Sequence, residues 1–234
     1  MTSVPGLPCY DLGLAPYEPV QALQGALRRE CAAGRHPGAL LLLEHEAVIT
    51  LGVRASMAEV RRPLRPPEDG AAGPSLPVIR SERGGLGTLH APGQLVAYPV
   101  MPIPKRDLRT YVWQLEEVAR LLLAQYRVHA IRITGRPGLY VDGHKIASLG
   151  LRCERWVASH GTSLNISPDL HLFAQIVSCG DPDLHHTSLA VLTGHAPAMP
   201  EVKLVYHRVF AQVFRRELGP LLTTTVTGLL ETLA

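Results

Sequence analysis

Apolar residues recur at three- and four-residue spacing in three stretches of the chain, and each predicts a helix. Residues 17–33 put Val20, Leu23, Leu27 and Cys31 on one face, and Gly34 stops the run. The clearest helix spans residues 108–125, with Leu108, Tyr111, Val112, Leu115, Ala119, Leu122 and Leu123 as one core-facing stripe. Residues 202–216 give another, with Val202, Val205, Val209 and Val213 inward and Tyr206, Phe210 and Phe214 alongside. Other apolar runs are too short for helices. Residues 39–43 read as a buried strand, and Glu44-His45-Glu46 turns the chain into a second strand at 48–51. His45 either faces a site or caps that turn. Further strands are predicted at 78–80, 94–100, 128–133 and 156–166, and a short helix at 170–173. Leu139-Tyr140-Val141 and Lys145-Ile146-Ala147 flank Asp142-Gly143, a strong hairpin-turn signal, and the second arm continues to Cys153. Residues 176–180 form an apolar run ending at a thiol. Residues 61–77, rich in proline and without periodicity, read as a surface loop. The tail after Pro220 offers only a loose helix. Strands outnumber helices, and several follow one another directly. That predicts an α/β protein of α+β type, a mixed sheet with flanking helices rather than alternating βαβ units.

Composition narrows the class. The 234 residues suit one domain, residues 1–234, with a full core. No apolar run approaches the ~20 residues of a membrane span. The first residues, MTSVPGLPCYDLG, lack the basic start and apolar block of a secretory signal, so a soluble cytoplasmic protein is expected. A net charge of +3 is too mild to imply nucleic acid. The four cysteines, Cys9, Cys31, Cys153 and Cys179, form no CxxC pair and are expected to stay reduced. His185-His186 is the nearest approach to a metal motif and reads as an exposed loop, so no metal is expected. Only three of the 23 basic residues are lysines, Lys105, Lys145 and Lys203, which raises the question of why lysine is kept there.

Residues 83–98, RGGLGTLHAPGQLVAY, carry the densest chemistry. Gly84, Gly85, Gly87, Pro92 and Gly93 describe a shaped loop that would present Arg83, Thr88, His90 and backbone N–H groups. Neither GxGxxG nor GxxxxGK[ST] fits it, and a Gly-Gly run alone reads as a connection between strands. Among the cysteines, Cys179 precedes Gly180 and Asp181-Pro182, so its sulfur can lie exposed at a strand end. A thiol needs a nearby cation to be a thiolate at neutral pH. Lys145 offers one that can also lose and regain a proton, as guanidinium effectively cannot. In isolation it is equally a solvated lysine beside a hairpin turn.

Several strings together resemble the lipoyl(octanoyl) transferases. They are E-H-x-x-V-x-T-x-G from Glu44, RGG with T-x-H-x-P-G-Q from Arg83, G-x-Y-V-x-x-x-K-I-A-S-L-G-L-R from Gly138, S-H-G-T-S-L-N-I from Ser159 and S-C-G from Ser178. The resemblance spans roughly residues 44 to 190. It implies an α/β fold related to the catalytic domains of lipoate ligases and biotin protein ligases. It implies transfer of an octanoyl group from octanoyl-acyl carrier protein to a lysine of a lipoyl domain, as in 2-oxoacid dehydrogenases or the glycine cleavage H protein. Cys179 would accept the acyl group and Lys145 would activate it. Arg83, Gly84, Gly85, Leu86, Gly87, Thr88, Leu89 and His90 would line the octanoyl site, with Ser148, Leu149 and Gly150 and with Gly161, Thr162 and Ser163. The donor arrives activated, so neither ATP, another cofactor nor a metal is implied. The chain departs from the family pattern at Glu82, Ser178 and Asp181-Pro182. The rival readings are an ATP-dependent lipoate or biotin ligase, an enzyme moving octanoyl between lipoyl-bearing proteins, a thiol hydrolase, and a non-catalytic module that binds acylated carrier proteins.

Overall fold

The computed structural model describes residues 6–61 and 76–233, so the loop expected at 61–77 lies almost wholly outside the described residues. The chain runs β1 (Leu7–Ala15), α1 (Tyr17–Ala32), β2 (Ala39–His45), β3 (Val48–Leu51), β4 (Val78–Arg80), β5 (Gly87–His90), β6 (Gln94–Pro102) and α2 (Leu108–Gln125). It continues through β7 (Ile131–Ile133), β8 (Arg136–Val141), β9 (His144–Glu154), β10 (Val157–Asn165), α3 (Leu189–Thr193), α4 (Met199–Phe214), β11 (Leu218–Thr223) and α5 (Val226–Glu231). Eight strands form a mixed sheet in the order β11-β1-β2-β6-β10-β9-β8-β7, and a small second sheet has the order β4-β3-β5.

The unbroken apolar run of β2 follows from its central place. Side chains alternate across a sheet, and β2 is covered on both faces. Leu40 and Leu42 pack in a core with Tyr111, Leu115, Val118 and Leu122 of α2 and Val202, Tyr206 and Phe210 of α4. Ala39, Leu41 and Leu43 face the opposite way, onto Val20, Leu23 and Leu27 of α1 and Leu229 of α5. β6 divides in the same manner, Leu95 and Ala97 to the first core, Val96, Tyr98 and Val100 to the second. A third core, of Ile49, Leu51, Ala55, Leu89, Phe173 and Ile176, lies against the small sheet.

Several boundaries differ from the sequence expectation. The strand expected at 128–133 is only Ile131–Ile133, because Val128 and Ala130 are drawn into the core beside α2. Leu108 is exposed and Val112 only half-buried, and Val118 joins the stripe instead. On α4 the rings of Tyr206, Phe210 and Phe214 are buried, while Val205 and Val213 are partly exposed. Residues 176–180 are not a strand. Ile176 makes a single bridge to Val60, and Ser178–Gly180 is a 3-10 turn. β1 and β11 had no sequence signal, although β1 pairs parallel with both β11 and β2. Among the described residues no helix is long and apolar enough to cross a membrane.

Candidate active site

Lys145 owes its position to the turn before it. Asp142 and Gly143 both have positive φ, 47° and 80°, as a type I′ hairpin turn requires. The turn sets Lys145 opposite Tyr140 at the start of β9. On the other edge its N–H donates to His185 O at 2.9 Å and its carbonyl accepts from Thr187 N at 3.0 Å. Held from both sides, Lys145 is only 2% exposed. Its Nζ donates to Cys179 Sγ at 3.1 Å and lies 5.5 Å from the Tyr140 ring centroid. No salt bridge among the described residues gives this ammonium a carboxylate. A thiolate at Cys179 would serve as its counter-charge.

Cys179 sits in the 3-10 turn at φ 56°, a left-handed conformation uncommon for a residue with a Cβ. Backbone in this region clusters at functional sites. The thiol is exposed, in line with the sequence expectation. The departures from the family pattern lie close by. Asp181 pairs with Arg136 at 3.1 Å, and Ser178 is buried with its hydroxyl unpartnered. Glu82 pairs with Arg152 at 2.7 Å and with Arg28 at 3.5 Å.

The glycine-rich loop closes the opposite wall, and Arg83 is its clamp. Instead of presenting its guanidinium to a ligand, Arg83 turns inward. Nε and Nη2 donate to Thr50 Oγ1, Nη2 also to Thr50 O at 2.7 Å, and Nη1 to Leu86 O at 2.7 Å and Gly84 O at 3.2 Å. The side chain lies across Gly150, where a Cβ would stand 3.0 Å from Arg83 Cδ. Glycine is needed at Gly161 too, since a Cβ there would meet Ala97 O at 2.2 Å.

Between these walls is a cavity of about 370 Å³, within the range of small-ligand sites. Cys179 and Lys145 line it, together with Arg83, Gly85, Leu86, Gly87, Thr88, His90, Ser148, Leu149, Gly150, Gly161, Thr162 and Ser163. Two expected residues do not. Gly84 is tied to β9 through its N–H to Leu151 O at 2.7 Å, and Leu89 is fully buried in the third core. The structure adds Arg54, Tyr98, Arg136, Tyr140, His160, Asp181 and Leu184 to the lining. His160 belongs to the S-H-G-T-S-L-N-I string, which is a signal for it in sequence, whereas its φ of 60° is invisible there.

Behind the cavity Tyr17, His45, His90, Tyr98 and His160 pack ring to ring. His45 closes the end of β2 rather than capping a turn. Its Nδ1 donates to Ala15 O at 2.9 Å, so Nε2 accepts from the Tyr98 hydroxyl at 3.1 Å. Burial holds the His45 ring neutral, with a pKa lowered to about 4. Burial, and then the Arg83 charge, lowers His160 to about 3. Burial pushes His90 well below the ordinary histidine range, and among the described residues neither of its ring nitrogens has a hydrogen-bond partner. These rings are neutral polar packing, not proton carriers near pH 7. The paired His185 and His186 also diverge. His185 is exposed, whereas His186 is half-buried and stacks on Phe173 at 3.7 Å. Among the described residues no group of three or more His, Cys, Asp or Glu could hold a metal ion.

Residues 16–211 match the model of the lipoyl protein ligase A/B catalytic domain. The chain belongs to that family. It is 44% identical over 207 residues to an octanoyltransferase of Nitratidesulfovibrio vulgaris (strain DSM 19637 / Miyazaki F), covering 87% of this chain and 93% of that one. Its fold is similar to that of lipoate-protein ligase A bound with ATP, with a TM-score of 0.75 at 14% identity over 97% of this chain and 94% of that one. A biotin protein ligase from Aquifex aeolicus in complex with biotin is more distant, with a TM-score of 0.51 at 12% identity over 89% of this chain and 70% of that one. The mixed sheet with flanking helices is therefore the architecture of the lipoyl protein ligase A/B fold.

Proposed function

We propose that the chain transfers an octanoyl group from octanoyl-acyl carrier protein to a lysine of a lipoyl domain, through a thioester on Cys179. The 3.1 Å contact between Lys145 Nζ and Cys179 Sγ, both on the lining of one cavity, carries this reading. The ammonium favours the thiolate by charge and hydrogen bond. In the first half-reaction Sγ bonds to the thioester carbonyl carbon. The carbon–sulfur bond to the donor breaks, and the leaving thiolate takes the proton carried by Lys145. In the second, the neutral amine of the acceptor lysine attacks the enzyme thioester. The amide bond forms, the bond to Cys179 breaks, and the amine proton returns to Lys145, which restores the starting pair. Backbone amides near Cys179 would steady the developing oxyanion. The acyl chain would lie between the 83–90 loop and β9–β10. The octanoyltransferase relative supports the transfer of an octanoyl group, and the acceptors in this reading are lipoyl domains such as those of 2-oxoacid dehydrogenases or the glycine cleavage H protein.

A second reading, an ATP-dependent ligase, draws on the fold shared with ATP-bound lipoate-protein ligase A. Such an enzyme has no need of a thiol–ammonium pair. The two are separated by incubating the purified protein with octanoyl-acyl carrier protein and an apo lipoyl domain without nucleotide. Octanoylation of the domain is expected under those conditions. Strict dependence on ATP would favour the ligase.

A further inference from the structure

Among the described residues no hydrogen bond joins the 83–90 loop directly to residues 176–182, although the two form facing walls of one cavity. The two pack directly, with Leu86 Cδ1 beside Gly180, and their hydrogen-bonded link runs through residues 52–61. On one side Val53 N donates to Arg83 O at 3.0 Å and Arg54 N to Gly85 O at 3.2 Å. On the other, Arg61 N donates to Gln175 O at 2.8 Å and Arg61 Nη2 to Pro182 O at 3.0 Å.

Glu59 bonds to both walls. Its Oε2 accepts from Gly87 N at 2.5 Å, and its carbonyl accepts from Val177 N at 2.7 Å, two residues before Cys179. The other carboxylate oxygen accepts from Ser56 N at 3.1 Å, in a capping box that fixes the side chain. No salt bridge among the described residues uses this carboxylate, so its charge is held by amides, a short and strong kind of hydrogen bond. Nothing in the local string M-A-E-V marks the residue, and only the fold brings it to the site.

We infer that Glu59 is a positioning residue for acyl transfer, setting the separation between the wall of the acyl cavity at Gly87 and the nucleophile turn at Cys179. The inference rests on the acyl-enzyme reading above. Its consequence is specific. Loss of Glu59 leaves the thiol and its lysine in place but lets the bound carbonyl and Sγ drift apart, and a misplacement of about 1 Å lowers rates by about 10²-fold.

The test is single-turnover acylation by octanoyl-acyl carrier protein, followed by intact mass, beside alkylation of the same thiol by iodoacetamide. Glu59→Ala should acylate about 10²-fold more slowly with the donor KM within about threefold and alkylation within about threefold of wild type. Glu59→Gln keeps one acceptor and should recover most of the rate. Should Glu59→Ala not fold, Glu59→Asp carries the test, since a side chain shorter by one methylene should slow acylation and spare alkylation. Wild-type acylation rates in folded Glu59→Ala or Glu59→Asp, or acylation and alkylation falling together, would overturn the assignment. An absence of adduct in the wild type would instead remove the acyl-enzyme reading, and this inference with it.

Discussion

Lys145 and Lys203 are buried, in a chain that otherwise prefers arginine. That preference was visible in sequence and pointed to Lys145. In the proposed mechanism its role is the proton: an arginine in its place would carry the charge but stay protonated and could not relay one. Lys145→Arg is expected to lower turnover by about 10²–10⁴-fold, the usual contribution of general acid–base assistance. Circular dichroism and melting temperature, read beside acyl transfer, separate this from misfolding. Near-wild-type turnover would leave Lys145 only an electrostatic role. Arg83 was expected to be presented to the site, and it lines the cavity with its guanidinium turned inward. Its N–H groups go to three carbonyls and the Thr50 hydroxyl, because a buried charge without a carboxylate must be satisfied by neutral acceptors. Nothing in a string of letters distinguishes an arginine turned outward from one turned in.

Elements with strong local chemistry were legible, and strands broken by proline and glycine were not. α2 was readable at both ends, since Asp107 caps it by accepting from Thr110 N at 3.0 Å and its apolar period is regular. Asp142-Gly143 announced the β8–β9 hairpin because few other pairs tolerate positive φ twice running. β1 and β11 escaped notice because Pro8, Gly13 and Pro220 interrupt any alternation, and their pairing joins opposite ends of the chain. α4 is tied to β1 by the other buried lysine. Lys203 Nζ donates to Asp11 Oδ1 at 2.5 Å, with the lysine side chain only 4% exposed. Breaking a buried pair leaves a bare charge, which costs about 3–5 kcal/mol. Lys203→Met should lose toward the lower end of that range, since Asp11 keeps partial access to water. Adding Asp11→Leu should recover much of the loss. Urea unfolding of the two variants checks this, and equal stability of Lys203→Met and wild type would contradict it.

At the scale of the whole molecule, the fold gathers strings scattered from residue 44 to residue 181 around one cavity, an assembly that order along the chain suggests only by resemblance. The cavity's neutral histidines couple that assembly to pH. His45 and His160 have pKa values lowered to about 4 and about 3, and His90 is lowered as well. Unfolded, each would titrate near 6.5. The unfolded state then binds more protons, so their stabilisation is present above about pH 6.5 and declines as pH falls toward 4. Each ring can contribute up to about 1.4 kcal/mol per pH unit within that window. Urea midpoints should therefore drop between pH 7 and 5, before carboxylates titrate, and a flat profile would contradict the buried neutral rings. The proposed acyl site also predicts a dependence on acyl length. Each buried methylene contributes roughly 0.8 kcal/mol, so hexanoyl donors should be more than about tenfold poorer than octanoyl donors in kcat/KM. Equal rates from four to twelve carbons would argue against a closed acyl site. A thioester on Cys179 is read by intact mass. After mixing with octanoyl-acyl carrier protein, the protein should gain one octanoyl group, labile to hydroxylamine and absent from Cys179→Ala. An adduct that persists in Cys179→Ala, or none in the wild type, would contradict the account.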